Sequence, residues 1–327
     1  MSLLFFDGFD HSAYGEAGYK WEWDSGGTFV AGRTGNCISN GYCAKYFVPA
    51  AGEVIVGFAT STGLTCEWCH PLSYDTGVQC YLATTAYGAL RVTNGNGTVL
   101  AESAAGVFRF GAWNYIEAKI LVHASAGTIT VKCNGATVIT ATGKDTQNQS
   151  TADVGWIRFA FPGETLDDVY ICDTGGAQNN DFLGEVRVVT LLPQTDAVGG
   201  AGANTDFTPS TGTDHGALVD EATPNSDTDY LYSSTLNHAD SWNYPALGYT
   251  GTIKGVRLNL FAKKADSGTR AIAALTRPAS TNRLGDDNYL TTSYTYWSQQ
   301  WELNPEDSAA WEVADVNGAQ FGVKITV

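Results

Sequence analysis

Long apolar runs, basic residues and targeting signals are all scarce in this sequence, and each scarcity excludes a class of protein. No apolar run approaches the ~20 residues that a membrane-spanning helix needs, so we expect no membrane insertion. The 18 Lys and Arg residues are outnumbered by 34 Asp and Glu residues, which gives a formal net charge of −16. Such a surface repels phosphate backbones and anionic membranes, so nucleic acid is not an expected partner.

A secretory leader and the common catalytic motifs are also missing. The N-terminus reaches Asp7 without a basic start, a long apolar core or a cleavage site, so we expect synthesis in the cytosol. None of the five histidines lies near a G-x-S-x-G motif. Gly199-Gly200-Ala201-Gly202 has no following Lys-Ser/Thr and predicts a flexible linker, not a phosphate-binding loop.

The composition and the local patterns of the sequence favour β-structure. The chain has 37 glycines and 12% aromatic residues, and it lacks runs of Ala, Leu, Glu and Lys, which favours short strands joined by turns. The strongest local signal begins at Trp113–Val122, where apolar residues alternate. Gly127–Cys133 alternates again, and Asn134-Gly135 then predicts a tight type I′ hairpin with a return strand over Ala136–Thr142.

The 327 residues exceed a typical single domain, so two domains are expected. Residues 194–210 lie in a Gly-, Ala- and Thr-rich stretch that we interpret as a linker. We predict an all-β fold with one sandwich over residues 1–193 and a second, smaller β-sandwich over residues 211–327. Other predicted strands include Val107–Phe110, Val154–Phe161, Leu166–Cys172, Glu185–Val189 and Ala217–Val219.

Several short motifs resemble one family. The chain opens with LLFFDGFD at residues 3–10, continues with W-x-Y-I-E-x-K from Trp113, and closes with D-D-V-Y from Asp167 and N-D-F-L-G-E-V-R-V from Asn180. This pattern is similar to the concanavalin A/laminin-G-like jelly-roll sandwich of tailed-bacteriophage virion proteins. The resemblance implies a non-enzymatic structural protein of the virion, made in the host cytoplasm, such as a tail-fibre, collar or head-decoration component. It also implies a homo-oligomer, a trimer first, with other virion proteins and host-surface glycans as contacts.

The alternative is a monomeric polysaccharide-binding lectin or a glycoside hydrolase of the same fold. Hydrolases of this fold carry E-x-D-x-x-E on one strand, and the closest stretch here runs from Glu164 to Asp168. In a strand Glu164 and Asp167 face opposite sides, so they do not form the carboxyl pair that hydrolysis requires. Asp167 and Asp168 are interpreted as the turn that leads into a strand, and no enzyme is expected.

Aromatic residues are the candidates for a carbohydrate site. The second half is dense in them, so we predict that Trp242, Tyr244, Trp297 and Trp301 bind sugar together with the polar residues Asn180 and Asp181. Trp68, Tyr74, Tyr81 and Tyr87 are further candidates near loops. The favoured alternative is that these rings fill cores or subunit contacts. No cofactor is expected, although the acidic surface would suit Ca²⁺.

The seven cysteines all precede the linker. Cys66 to His70 spell C-x-x-C-H, but haem attachment needs export and a second axial ligand, so we interpret the match as chance. Zinc on Cys66, Cys69 and His70, with Cys37, Cys43 or Cys80 as fourth ligand, is disfavoured because the spacing does not repeat. The third hypothesis is that some cysteines near loops are oxidised to disulfides. Because seven is an odd number, at least one cysteine cannot pair within the chain and could link subunits. The candidates are Cys37, Cys43, Cys66, Cys69 and Cys80.

Overall fold

The structure is a computed structural model of the chain, and it describes residues 1–10, 20–49, 52–73, 75–196, 204–279 and 281–327. The chain divides into two compact units, unit 1 (Met1–Thr190) and unit 2 (Leu191–Val327). Unit 2 therefore begins before the predicted linker. Residues 195–196 and 208–209 of that linker pair with strands of unit 2, and residues 197–203 lie outside the described residues.

Unit 1 is a sandwich of antiparallel strands. These are β1 (Leu3–Asp7), β2 (Trp23–Ser25), β3 (Thr28–Ala31), β4 (Asn36–Tyr46), β5 (Glu53–Thr60), β6 (Thr65–Cys69), β7 (Val78–Thr84), β8 (Leu90–Asn94), β9 (Val99–Glu102), β10 (Asn114–Leu121), β11 (Gly127–Cys133), β12 (Ala136–Lys144) and β13 (Trp156–Asp173). Sheet A has the order β12-β11-β10-β5-β13-β1. Sheet B has the order β4-β13-β6-β7-β8-β9, with β2 and β3 also paired to β4. This is the all-β, lectin-like jelly-roll architecture that the sequence predicts.

Strand β13 belongs to both sheets. Irregular pairing after Phe161 and after Asp167 marks two bulges, and bulges bend a strand. The first half of β13 pairs with β4 and β6, and the second half pairs with β5 and β1. The two strands predicted at Val154–Phe161 and Leu166–Cys172 are thus one strand that turns the corner of the sandwich.

The core of unit 1 is built from alternate residues of both sheets. Phe58 of β5 meets Phe159 of β13 edge to face, with ring centroids 5.3 Å apart. Trp21 packs against Phe5 in the same way at 4.8 Å. Burial of each such ring stabilises the fold by about 1.5–3 kcal/mol. One side of sheet B packs against the core. Because side chains alternate between the two sides of a strand, every second residue of these strands points away from the core.

The predicted hairpin at Asn134-Gly135 is confirmed. Asn134 has φ 50° and Gly135 has φ 75°, and a type I′ turn needs positive φ at both positions. Every second side chain of β11 is buried, as its alternation predicts.

Three strand predictions are wrong. Glu185–Val189 forms no strand, because the amide of Val188 donates to Asp168 Oδ1 at 2.8 Å and the Val186 carbonyl accepts from Arg33. The segment 107–110 is a loop in which the Phe108 amide donates to the Gly88 carbonyl at 2.8 Å. In unit 2, Gly216–Leu218 is one turn of 3-10 helix.

Unit 2 is a smaller sandwich. Its strands are β14 (Thr195–Asp196), β15 (Thr208–Pro209), β16 (Leu231–Tyr232), β17 (Ala239–Asn243), β18 (Val256–Ala262), β19 (Ala271–Arg277), β20 (Arg283–Tyr289), β21 (Thr295–Trp301) and β22 (Gln320–Ile325), with one described α-helix, α1 (Val313–Gly318). A five-stranded sheet, β14-β17-β22-β19-β20, packs its apolar side against the β18–β21 pair. No helix among the described residues is long and apolar enough to cross a membrane.

Candidate functional site

Sheet B presents a polar and aromatic surface on the side away from the core. Directly paired residues of neighbouring antiparallel strands lie on the same side of a sheet, so strand pairing arranges these side chains in rows. We call this set the outer face, and it comprises Tyr42, Ala44, Tyr46, Thr65, Glu67, Tyr81, Ala83, Arg91, Thr93, Val99, Glu102, Trp156, Arg158 and Ala160.

The first row crosses the middle of the outer face. Strand pairing places Arg158 opposite Glu67, and Tyr81 lies between Glu67 and Thr93. Arg158 Nε donates to Glu67 Oε2, and Arg158 Nη1 donates to Asp75 Oδ1 at 3.2 Å. The guanidinium is therefore held between two carboxylates, and its position on the face is fixed by charge-assisted hydrogen bonds.

The second row ends in another ion pair. Arg91 of β8 lies opposite both Ala83 of β7 and Glu102 of β9. Arg91 Nε donates to Glu102 Oε2 at 2.6 Å, and both side chains are partly exposed. The row thus offers unused guanidinium N–H donors beside carboxylate acceptors at the surface.

A pocket of about 320 Å³ opens beside these two rows; it is lined by Tyr81, Ala83, Thr84, Thr85, Ala86, Tyr87, Arg91 and Thr93. Tyr87 is 83% exposed and lies in the β7–β8 turn. Its carbonyl accepts from the Gly106 amide at 3.0 Å, and the Gly88 amide after it donates to the Thr85 carbonyl at 2.9 Å. Gly88 has φ 70°, and a Cβ there would lie 2.5 Å from the Phe108 carbonyl oxygen. The backbone of the turn is therefore anchored while the Tyr87 ring faces solvent.

An aromatic pair marks the opposite end of the outer face. The Tyr46 and Trp156 rings have centroids 5.0 Å apart and are tilted by 59°. Trp156 Nε1 donates to the Pro71 carbonyl at 3.1 Å, so the indole orientation is set. Tyr42, four residues before Tyr46 on β4, is 38% exposed on the same side. Both ends of the outer face therefore present aromatic rings.

Two of the aromatic residues predicted near loops line this pocket. Tyr81 and Tyr87 do so, whereas Trp68 is buried in the core of unit 1 and Tyr74 lies outside the described residues. The arginines and glutamates of the outer face were not among the residues predicted from the sequence. The alternation of Glu67 with Cys66 and Trp68 in β6 indicates only that the Glu67 side chain points to the other side of the sheet, not which residues it meets there.

The four aromatic residues predicted in unit 2 mainly fill its core. Trp242 and Trp301 are only 5% and 8% exposed. Tyr244 packs edge to face on Phe321 at 5.6 Å, and burial raises the pKa of its hydroxyl above the usual range. Trp297 is partly buried against the same core. The burial of Trp242 and Trp301 fits the alternative stated above, in which such rings fill the core, and a sugar-binding role for the four residues stays a prediction.

The polar pair Asn180 and Asp181 lies in unit 1, on the loop after β13. Asn180 Nδ2 donates to the Gly176 carbonyl at 2.7 Å. Asp181 Oδ1 accepts from the Phe182 amide at 2.8 Å and from Lys119 Nζ at 3.4 Å. Lys119 belongs to β10 of sheet A, so the structure does not bring this pair to the outer face of sheet B. A sugar-binding role for Asn180 and Asp181 stays a prediction.

The five cysteines predicted near loops lie in strands, and three of them, Cys37, Cys66 and Cys69, are at or next to a strand end. Cys37 and Cys43 lie in β4, Cys66 and Cys69 lie in β6, and Cys80 lies in β7. All five are 0% exposed, and no disulfide joins any of the seven cysteines, all of which lie in the described part of the chain. Burial raises the pKa of the Cys37 and Cys80 thiols to about 12. They are therefore unreactive thiols, inaccessible to a second subunit.

The described residues show no metal centre. No group of three or more His, Cys, Asp or Glu side chains among them is arranged to hold an ion. His70 uses both ring nitrogens within the chain, since Nδ1 accepts from the Leu72 amide at 3.3 Å and Nε2 lies 2.9 Å from Thr151 Oγ1. Zinc ligation by this histidine would break those contacts, whereas Ca²⁺ binding stays a prediction.

Asp167 and Asp168 are not the turn that leads into a strand, because both lie inside β13 at a bulge where Asp168 has φ 49°. Both are 0% exposed. Asp167 Oδ2 accepts from the Arg33 amide at 2.7 Å, and Asp168 Oδ2 accepts from Arg33 Nη1 at 2.8 Å. Burial, followed by the charge of Asp168, raises the pKa of Asp167 to about 8. The pair therefore fastens the turn before β4 and is not placed to touch a substrate.

Comparison with known proteins finds only distant structural similarity. No protein-family model and no curated protein matches the chain. Carbohydrate-binding module CBM66 from Bacillus subtilis is 11% identical and covers 46% of this chain and 95% of its own, with a TM-score of 0.32. Sheep galectin-11 is 13% identical and covers 39% and 95%, with a TM-score of 0.29. The exoplasmic/lumenal domain of VIP36, in its Ca²⁺/Man3GlcNAc-bound form, is 10% identical and covers 51% and 89%, with a TM-score of 0.35. Unit 1 is a lectin-like jelly roll by its own strand order, and a virion origin stays a prediction.

Proposed function

We propose that the chain is a non-enzymatic carbohydrate-binding protein and that the outer face of unit 1 holds the glycan. The observation that supports this proposal is that one side of sheet B carries partly exposed aromatic rings, a pocket and the partly exposed Arg91–Glu102 pair. A pyranose ring has apolar C–H faces and a rim of hydroxyls. Aromatic rings such as Tyr87 suit its faces, and the Arg91–Glu102 pair offers both donors and acceptors to its hydroxyls.

The carboxylates of the outer face favour binding over hydrolysis. Glu67 on β6 and Glu102 on β9 are three strands apart, which is roughly 14 Å at about 4.8 Å per strand. Hydrolysis needs two carboxyl groups about 5–10 Å apart on either side of the scissile bond. Glu67 and Asp75 both accept hydrogen bonds from Arg158, so both carboxylates are engaged within the protein.

The proposal is tested by glycan-array binding of the intact chain, followed by calorimetry on the glycans that bind. Arg91→Ala should abolish or strongly weaken that binding because it removes the donors beside the pocket. Arg270→Ala is the matched control, since Arg270 is also an exposed arginine paired with a carboxylate, but in unit 2. Equal binding by wild type and Arg91→Ala, or no binding to any glycan, would contradict the proposal.

The wider setting that we infer is an appendage of a tailed-phage particle, assembled as a homo-oligomer. The supporting observation is the motif resemblance at residues 3–10, 113–119 and 167–188. Light scattering on the purified chain should give a mass above the 34.8 kDa monomer. Because all seven thiols are buried, reductant should leave that mass unchanged. A clean monomer under both conditions would favour the monomeric lectin.

A further inference from the structure

The outer face is longer than one sugar ring, and its two ends are alike. Four strand steps separate β4, which carries Tyr46, from β8, which carries Arg91; that spans roughly 19 Å. The Tyr46–Trp156 pair lies at the β4 end, and Tyr81 and Tyr87 lie at the pocket. A ligand that uses both aromatic ends must run across the strands through the Arg158–Glu67 pair between them.

The charges of this surface determine which ligand it suits. Its two arginines, Arg91 and Arg158, are each bonded to a carboxylate. Asp75 adds a third carboxylate beside Arg158, so three negative groups face two positive ones. The whole chain carries −16 at neutral pH. A uronate, sulfate or sialate would have to displace Glu102 or lie beside an unneutralised carboxylate, and like charges at close range are unfavourable.

We propose that the outer face binds an extended, neutral oligosaccharide that runs from the Tyr46–Trp156 pair to the Tyr87 pocket. The Arg91–Glu102 pair, which is more exposed than the Arg158–Glu67 pair, presents guanidinium N–H donors and carboxylate acceptors side by side to the hydroxyls of such a chain. This inference rests on the proposed function and adds the charge and the length of the ligand.

The test compares matched hexasaccharides on the full chain by calorimetry. The probes are β-1,4-linked hexamers of mannose and glucose and the corresponding hexamers of mannuronic and glucuronic acid, after a glycan array that contains both neutral and acidic chains. We expect a neutral chain to bind at least about tenfold more tightly than its acidic counterpart. Its affinity should change by less than about twofold between about 50 and 500 mM NaCl, because few unpaired charges are engaged. The disaccharide should bind about tenfold more weakly than the hexamer, since it cannot reach both ends.

One variant tests the charge argument directly. Glu102→Gln releases Arg91 while keeping a similar side-chain shape, so it should raise affinity for the acidic hexamers about tenfold. Asp266→Asn is the control, because it releases the exposed Arg270 in unit 2 and should change nothing. Preference of the wild type for acidic chains, with salt-sensitive affinity, would overturn this inference and leave the proposed function standing. Absence of binding to every glycan on the array would overturn both.

Discussion

Replacing Tyr87 by alanine should weaken glycan binding without affecting the fold. The side chain is 83% exposed, so its removal from the free protein costs little packing. A large aromatic side chain presents ~200 Å², of which a sugar stacked on one face covers about 80 Å². At about 25 cal/mol per Å² this contact contributes about 2 kcal/mol, or roughly 30-fold in Kd.

The assay is isothermal titration calorimetry with the best glycan found on the array, together with thermal unfolding of each variant. Tyr87→Phe keeps the ring and should stay within about twofold of wild type. Tyr289→Ala is the matched control, because Tyr289 is a tyrosine of unit 2 that is 57% exposed. If Tyr87→Ala binds as tightly as wild type, the pocket is not the ligand site and the reasoning from its exposed ring is refuted.

Three further predictions concern the packing and the buried groups of the two units. Gly57→Ala should destabilise unit 1 by about 1–3 kcal/mol in urea unfolding. The added methyl group would overlap the ring of Tyr170 on the neighbouring strand. Unchanged stability would contradict that packing. Trp242→Ala should lower the free energy of unfolding by about 3–5 kcal/mol while the remaining folded protein binds glycan normally. Burial raises the pKa of Asp167 to about 8, so the folded chain keeps a proton there that the unfolded chain loses near pH 4. The stability that this proton contributes is fully present below about pH 4 and is lost as the pH rises through 8; Asp167→Asn should flatten that dependence between pH 5 and 8.

The parts of the fold that depend on neighbouring residues in the sequence could be predicted. Asn134-Gly135 needs only its own positive φ values to form the hairpin, so two residues and their flanking alternation were sufficient. Strand order is not local. Arg158 and Glu67 are 91 residues apart in sequence and meet because β13 lies between β4 and β6. No spacing in the chain reveals that contact, and the polar rows of the outer face could not be predicted for this reason.

The positions of the cysteines and of the aromatic rings also depend on pairing that the local sequence does not reveal. Asn40 adopts φ 61° within the eleven-residue strand β4, and Cys37 and Cys43 lie in the sheet on either side of it. The aromatic density of unit 2 was compatible with a binding surface and, as the favoured alternative, with a core. Trp242 packs against Ile272 and Val323, however, and a small two-layer core uses such rings as its main apolar volume. Composition alone does not separate a buried aromatic cluster from an exposed one.

The most direct test of the central claim is a crystal structure of the full chain with a bound hexasaccharide from the array. We expect sugar density across β4, β13, β6, β7 and β8, with one sugar ring against the Tyr46–Trp156 pair and another against Tyr87. Sugar density confined to unit 2, or to the loop that carries Asn180 and Asp181, would contradict it.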